Sequence, residues 1–149
     1  EYYRVMGLKG GEVPRVDAKI LDRSIRALLD LIWNGYVRSC HDLSEGGLAV
    51  AVAESSIGGD IGVEIDIDGV ADLREDFVLF SESNTRWIIE TGEKDKVEEI
   101  LSARNIPFRL IGRTGGREIR FLKDGEKLFS VDVDTARKIW REGVSKFMG

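Results

Sequence analysis

The chain has 149 residues, of which 42% are hydrophobic and 33% charged, and its formal net charge at pH 7 is −5. This acidic balance argues against an extended nucleic-acid-binding surface, and a single Cys excludes an internal disulfide. No apolar run approaches the roughly 20 residues needed to cross a bilayer, and the N-terminus lacks a signal-peptide pattern. We therefore expect one cytoplasmic globular domain over residues 1–149, with no membrane or nucleic-acid partner.

The first third of the chain predicts a strand followed by a helix. Residues 2–7 form a strand-like segment, and the glycines and proline of residues 9–15 predict a loop. Asp17 is a good N-cap for a helix over Ala18–Trp33, which Asn34-Gly35 would end. The side chains that recur with helical spacing, and that we expect to face inward, are Ile20, Leu21, Ile25, Leu28, Leu29 and Ile32. The chain starts at Glu1 rather than Met, so we expect a piece of a longer polypeptide.

The middle of the chain combines short strands with two helices. Residues 36–40 predict a strand, and the small apolar run after Gly46 predicts a buried helix that Gly58-Gly59 ends. Residues 61–67 alternate strictly and predict a strand with one solvent-exposed side. Residues 71–80 are ambiguous and favour a short helix. Trp87–Glu90 predicts a strand, followed by a helix over residues 93–105 whose inward side chains are Val97, Ile100 and Leu101.

The last third predicts mostly strands and a closing helix. Residues 108–113 form a strand, and residues 118–122 and 127–131 form a hairpin through Asp124-Gly125, a strong two-residue turn signal. Asp134 would cap a helix over residues 135–147, with Ala136, Ile139, Trp140, Val144 and Phe147 on its buried side. The predicted fold class is α/β (α+β), a mixed β-sheet covered by helices.

The most informative stretch lies between the strand ending at Cys40 and the helix after Gly46. It holds the only His of the chain, His41, together with Asp42, Ser44, Glu45, Gly46 and Gly47. A strand that turns through Ser and two glycines into a helix leaves free N–H groups at the helix start, which favour a phosphate or carboxylate. The plainer interpretation is a helix start capped by Asp42 or Ser44, with the glycines serving only close packing. The glycine spacing matches neither a Walker loop nor a dinucleotide fingerprint.

A second polar cluster runs from Ser81 through Glu82, Ser83, Asn84 and Thr85 to Arg86. Glu82 can ligate Mg²⁺ or accept from a hydroxyl or amine, and Arg86 can clamp a phosphate. Ser83 and Asn84 can orient a ligand. The alternative is a solvated turn with a local Glu–Arg pair.

The remaining reactive side chains favour structural roles. His41 lacks a Ser or Cys nucleophile beside it, and Asp42 lies on the opposite strand face, so a catalytic dyad is disfavoured. Cys40 is expected to be buried and inert. Asp66 and Asp68 share one side of a strand, where exposure to solvent is favoured over cation binding. We assign no catalytic residue and no metal ligand.

Three segments carry a family resemblance. Residues 41–51 resemble the "HDLSDGGLAVAL" motif of the large subunit of phosphoribosylformylglycinamidine synthase, and residues 79–86 resemble its "LFSESQSR" motif, with Asn84 where the family usually has Gln. Residues 6–14 resemble the segment that opens the final domain of that family. Single motifs are shared with aminoimidazole ribonucleotide (AIR) synthetase, selenophosphate synthetase, thiamine-monophosphate kinase and a hydrogenase maturation factor.

The resemblance implies an AIR synthase C-terminal-domain-like fold, from the second repeat of an ATP-dependent ligase of purine biosynthesis. The family enzyme uses ATP, Mg²⁺ and ammonia to convert formylglycinamide ribonucleotide to its amidine. The implied partners are the N-terminal ATP-binding halves of the same polypeptide, a glutaminase subunit that supplies ammonia, and the ribonucleotide substrate. This chain would supply one wall of a nucleotide-binding cleft and would be inactive alone. The implied ligand-binding residues are His41, Asp42, Ser44, Gly46, Gly47, Ser81, Glu82, Ser83, Asn84 and Arg86.

Three alternatives stay open at the level of sequence. The chain is also consistent with the C-terminal domain of a sister enzyme such as aminoimidazole ribonucleotide synthetase. It is consistent, second, with a non-catalytic structural or interaction module whose Gly-Gly turn is purely structural. A nucleotide-binding regulatory domain is the third alternative.

Overall fold

A computed structural model describes residues 1–11 and 13–148, with side chains described up to residue 143. In chain order the elements are α1 (Tyr2–Val5), α2 (Ala18–Trp33), β1 (Ser39–Asp42), α3 (Gly47–Gly59), β2 (Val63–Asp66), α4 (Glu75–Phe80), β3 (Trp87–Glu90), α5 (Lys94–Ala103), β4 (Gly112–Thr114), β5 (Glu118–Lys123), β6 (Glu126–Asp132) and α6 (Val133–Met148).

The chain divides into two compact units. Unit 1 comprises Glu1–Ala51 and Phe80–Leu110, and unit 2 comprises Val52–Leu79 together with the chain from Ile111 onward. The mixed α and β content confirms the predicted fold class, although the strands form a two-stranded and a four-stranded sheet. The assignment of residues 1–149 to a single domain stays a prediction.

Helix α2 begins and ends where the sequence predicts. The Asp17 carboxylate accepts from the backbone N–H groups of Lys19 and Ile20 at 2.9 and 3.1 Å, which caps the first turn. At the other end, the Tyr36 N–H donates to the Leu31 carbonyl at 2.9 Å and closes the helix. Local capping chemistry therefore fixes both boundaries.

The buried face of α2 differs from the predicted one. Its buried side chains are Ser24, Ala27 and Leu31. Of the six predicted inward side chains, Ile20, Leu21 and Leu28 are half-buried, whereas Ile25, Leu29 and Ile32 are exposed. Ala27 and Leu31 form the core of unit 1 with Val97 and Leu101 of α5. Packing against α5, rather than the hydrophobicity of α2 alone, therefore selects the buried face.

The two-stranded sheet of unit 1 pairs β1 with β3 antiparallel, with Cys40 opposite Ile89 and Asp42 opposite Trp87. Strand β1 therefore lies further along the chain than the predicted range of residues 36–40. Cys40 is exposed, which corrects the expectation of a buried thiol. Partial desolvation of its sulfur, and secondarily the nearby Asp42 carboxylate, raise the pKa of the Cys40 thiol, so the protonated and unreactive form is favoured.

The predicted first strand is wrong, because Tyr2–Val5 is a single helical turn. The Val5 and Met6 N–H groups donate to the carbonyls of Glu1 and Tyr2, both at 3.0 Å. The Tyr2 ring also stacks on Phe80 at 5.1 Å, which orders this segment without a partner strand.

Unit 2 is built around a mixed sheet in the order β4-β2-β5-β6, in which β2 and β5 run parallel and the other neighbours antiparallel. Val63 and Ile65 are buried and Glu64 is exposed, which confirms the predicted alternation of β2. The predicted β5–β6 hairpin through Asp124-Gly125 is also confirmed. Asp66 is half-buried and accepts from the Asp68 N–H at 2.9 Å, so this pair forms a local turn.

Two predictions near the end of the chain need correction. Residues 108–111 are not a strand, since the extended pairing begins at Gly112. Helix α6 is capped by Asp132 rather than Asp134, because the Asp132 carboxylate accepts from the N–H groups of Asp134 and Thr135 at 2.9 and 3.2 Å. On this helix Ile139 and Trp140 are exposed rather than buried, whereas Val144 and Phe147 lie outside the residues whose side chains are described.

Candidate functional site

The two polar motifs of the sequence lie side by side in unit 1. Pairing of β1 with β3 brings the residues after Asp42 next to those before Trp87, and the Leu43 N–H donates to the Arg86 carbonyl at 3.0 Å. The sequence indicated both motifs as polar clusters but could not predict that they are neighbours, because the β1–β3 pairing joins segments that are far apart along the chain.

Glu82 links the motifs directly. Its Oε1 atom accepts from the Gly46 N–H at 2.9 Å. The Gly46 hydrogen bond is the main cause that holds the pKa of Glu82 below its ordinary value, because it favours the charged carboxylate. Glu82 therefore occupies part of the position that the sequence assigned to an external anion.

The glycine turn is tightly built. Gly46 and Gly47 have φ angles of +77° and +60°, which non-glycine residues rarely adopt, and the Gly47 N–H donates to the Ser44 carbonyl at 3.1 Å. A Cβ atom on Gly46 would lie 2.2 Å from Val50 Cγ2. Both glycine amides have acceptors within the chain, which corrects the expectation that they are unpaired donors. Their role as ligand contacts stays a prediction.

Arg86 faces its own loop. Its half-buried guanidinium donates to the Ser81 carbonyl, to the Ser81 hydroxyl at 3.1 Å and to the Ser83 carbonyl at 3.2 Å. Burial lowers the pKa of Arg86. These contacts fix the conformation of residues 81–83, and the phosphate clamp considered from the sequence stays a prediction.

Sequence reasoning missed Thr85. Its φ angle is +63°, an unfavourable value for a β-branched residue, and its buried hydroxyl oxygen has no hydrogen-bond partner among the described residues. A strained backbone and an unsatisfied hydroxyl mark this loop as a place where the fold tolerates an energetic cost. No local pattern could have revealed this, because a six-residue polar run predicts only a loop.

The other predicted site residues are arranged around this junction. Asp42, Ser44, Ser83 and Asn84 are exposed, and His41 is half-buried. His41 Nδ1 lies 2.6 Å from the Asp42 carbonyl oxygen, which fits an Nδ1–H tautomer that donates to it. The Asn84 amide donates to the Pro14 carbonyl at 3.4 Å, which tethers the N-terminal loop to the second motif.

The described residues do not provide a metal site by themselves. Among residues 1–11 and 13–148 no group of three or more His, Cys, Asp or Glu side chains is placed to hold a metal ion. Mg²⁺ prefers several oxygen ligands, and a contact of Glu82 with Mg²⁺ stays a prediction. Within the same described ranges, no helix combines the length and apolarity that a membrane crossing requires.

Comparison with known proteins identifies the family of the chain. Residues 2–124 match the family model described as AIR synthase related protein, C-terminal domain, and the chain belongs to this family. The PurL subunit of phosphoribosylformylglycinamidine synthase from Moorella thermoacetica is 35% identical over 145 residues, which are 95% of this chain and 19% of that protein. PurL from Alkaliphilus metalliredigens is 35% identical over 146 residues, 97% of this chain and 20% of that protein.

The solved structures similar to this chain include PurL from Thermotoga maritima. The complex of that protein with FGAR has a TM-score of 0.77 and 21% identity, and the match covers 88% of this chain and 23% of that one. The complex with ATP has a TM-score of 0.69 over 76% of this chain and 21% of that one. These matches confirm the predicted AIR synthase C-terminal-domain-like fold. The chain spans about one-fifth of the length of the relatives it matches.

Proposed function

We propose that the chain is the C-terminal domain of a phosphoribosylformylglycinamidine synthase, an ATP-dependent ligase of purine biosynthesis, and supplies one wall of a phosphate- or nucleotide-binding cleft. The observation that carries the proposal is the junction of the two motifs in unit 1, made by the Glu82–Gly46 and Leu43–Arg86 hydrogen bonds. The 35% identity to PurL across 95% of the chain supports the same family-level assignment.

The chemistry of this wall differs from the one expected from the sequence. Since Glu82 accepts from the Gly46 amide, the groups available to a ligand are the exposed hydroxyls of Ser44 and Ser83 and the amide of Asn84. These neutral groups can hydrogen-bond to phosphate, ribose hydroxyl or amide oxygens without adding charge. Glu82 and Arg86 act as internal supports that hold the two loops in register.

The remaining parts of the ligase reaction are proposed to come from outside this chain. ATP and Mg²⁺ would be bound mainly by the N-terminal halves of a longer polypeptide, and a glutaminase subunit would supply ammonia, in the cytoplasm. The Thermotoga maritima relative has been solved as a complex called PurLQS, which is consistent with such partners. When bound, ATP supplies the phosphoryl group that activates the amide oxygen of the substrate for displacement by ammonia.

Two experiments test this proposal. The purified chain should show no ATP hydrolysis with formylglycinamide ribonucleotide and ammonia, and measurable turnover would contradict its dependence on other domains. In the full-length gene product, replacing Ser83 and Asn84 by Ala should raise the KM for ribonucleotide or ATP roughly tenfold, from the loss of hydrogen bonds to charged groups. Ser102→Ala, an exposed change on α5, is the matched control and should leave both constants unchanged.

A non-catalytic structural role is the second candidate, and the internal acceptors of the Gly46 and Gly47 amides favour it. The two candidates differ in an NMR titration with inorganic phosphate. Ligand binding predicts amide shifts confined to residues 42–48 and 81–86. A purely structural wall predicts no response at these positions.

A further inference from the structure

Helix α2 exposes a second apolar face in addition to the one that it buries. Ile25, Leu29, Ile32 and Trp33, which we call the outer face of α2, are 43%, 38%, 42% and 75% exposed. Their spacing of four, three and one residues places them on one side of the helix, away from Ser24, Ala27 and Leu31. A helix with apolar residues on two faces normally packs on both, and contiguous exposed apolar side chains mark an interaction surface.

A hollow borders this face where α2 meets the end of α5. It has a volume of ≈ 630 Å³, and its lining includes Leu29 and Trp33 together with Arg23, Arg26 and Arg104. Asp30 is the one acidic side chain among the lining residues, and Asp22 pairs with Arg26 beside the hollow, so three arginines face two carboxylates and one positive charge is left in excess, in a chain whose net charge is −5. The surface thus combines an apolar centre with a basic border.

Two of the arginines are paired within the chain. Arg26 pairs with Asp22 at 3.0 Å across an exposed turn of α2, and Arg104 pairs with the half-buried Asp30 carboxylate. The exposed Arg26–Asp22 pair contributes little to stability, so a carboxylate of a docked partner can share or replace its acidic group. Trp and Arg are also the side chains that most often dominate binding energy in protein interfaces.

We propose that the outer face of α2 and its hollow are a docking surface for an acidic segment of a separate protein. An apolar side chain of that segment would pack on Leu29 and Trp33, and flanking carboxylates would face Arg23 and Arg104. A symmetric pairing with a second copy is disfavoured, because both copies would bring the same excess of positive charge to the interface. The small number of basic groups and the net charge of −5 argue against nucleic acid.

The test begins with selection of a random displayed-peptide library on the purified chain, after depletion on a Leu29→Ser/Trp33→Ala variant. Enriched peptides should carry Leu, Phe or Trp next to Asp or Glu. Their affinity, measured by fluorescence anisotropy, should fall at least about tenfold with Trp33→Ala and with Arg23→Glu, and should decrease with salt for the wild type. A failure to enrich any sequence, or a neutral or basic consensus, would overturn the proposal.

Matched controls come from the same unit. Phe108→Ala and Arg109→Glu alter exposed side chains that do not line the hollow, and binding of the selected peptides should be unchanged. Circular dichroism of each variant verifies that it is folded. Equal losses with these controls would show non-specific adhesion, which would also overturn the assignment.

Two further measurements distinguish the proposed partner from a second copy of the chain and from the rest of the full-length polypeptide. Analytical ultracentrifugation should show a monomer at micromolar concentration, and dimerisation lost with Trp33→Ala would replace the proposed partner by a second copy. Hydroxyl-radical footprinting of the full-length gene product reads the accessibility of the Trp33 side chain. Persistent oxidation of Trp33 supports a separate partner, whereas protection in the purified polypeptide would show that its own remaining chain covers the face.

Discussion

Gly46 is the position where a single methyl group should report most directly on the geometry of the candidate site. Its φ angle of +77° costs an alanine about 1–2 kcal/mol relative to glycine. The added Cβ would also lie 2.2 Å from Val50 Cγ2 and 2.8 Å from Val50 Cβ, where ordinary contact is 3.4–4 Å. Val50 has a stiff χ1 angle in a helix and cannot rotate away cheaply, which adds about 1–3 kcal/mol.

We therefore expect Gly46→Ala to lower the free energy of unfolding by about 2–5 kcal/mol, the sum of the backbone and contact terms. The assay is urea unfolding followed by circular dichroism. Gly35→Ala is the matched control, because Gly35 has a similar φ of +72° but nothing within 4 Å of its added Cβ. It should cost only the backbone term of about 1–2 kcal/mol.

A double-mutant cycle isolates the contact term. In a Val50→Ala background both Cγ atoms are gone and only the Cβ at 2.8 Å remains, so Gly46→Ala should cost at least about 1 kcal/mol less than in the wild type. Equal costs of Gly46→Ala in both backgrounds would refute the packing argument. A cost equal to that of Gly35→Ala would show that only the φ angle matters and that the turn has room for a side chain.

Other substitutions test the remaining supports. Glu82→Gln should destabilise the chain above pH 4.5, the ordinary pKa of the carboxyl. The difference in free energy of unfolding between the wild type and the variant should vanish as the pH falls through the lowered folded-state pKa, because protonation removes the same charge from the wild type. Arg86→Lys should cost about 1–3 kcal/mol in urea unfolding, since a lysine cannot reach all the acceptors of the loop. Gly112→Ala should abolish amide protection of the β2–β4 pair in hydrogen exchange, because its Cβ would lie 2.0 Å from a backbone oxygen. Gly58→Ala, on an open part of α3, should instead raise the free energy of unfolding by about 0.5–1 kcal/mol.

Each of these expectations has an opposite outcome. A stability difference between wild type and Glu82→Gln that persists in acid would show that the carboxylate is not the group responsible. Full stability of Arg86→Lys would mean that the loop is held by other contacts. Retained protection of the β2–β4 amides in Gly112→Ala would show that the two strands can shift to make room for a Cβ atom and still keep their hydrogen bonds.

The sequence predicted elements whose signals are local. Asp17 caps α2, and Asp124-Gly125 closes the hairpin, because the relevant hydrogen bonds join residues a few positions apart. It failed where a local pattern is compatible with several structures. The apolar residues 2–7 resemble a strand, yet no strand pairs with them in the described chain, and the segment closes its own hydrogen bonds as a helical turn.

The candidate site was predicted as two separate polar motifs, and the ligand roles of their residues stay predictions. The sequence could not show that Glu82 accepts from the Gly46 amide, since 36 residues separate them. It likewise left Arg86 open between a phosphate clamp and a local Glu–Arg pair, and it could not show that the guanidinium donates to the loop that contains Ser81. A charged side chain has the same appearance in a sequence whether it faces a ligand or a backbone carbonyl.

The amino-acid sequence by itself determined the family of the chain, most helix and strand positions, and the two motifs that form the candidate site, because these depend on residue identity and short-range hydrogen bonding. Only the tertiary structure decided which face of α2 is buried, which amides at the glycine turn are occupied, and which apolar and basic side chains stay exposed together. Those features depend on the partner that each side chain meets, and that partner is set by packing between distant segments.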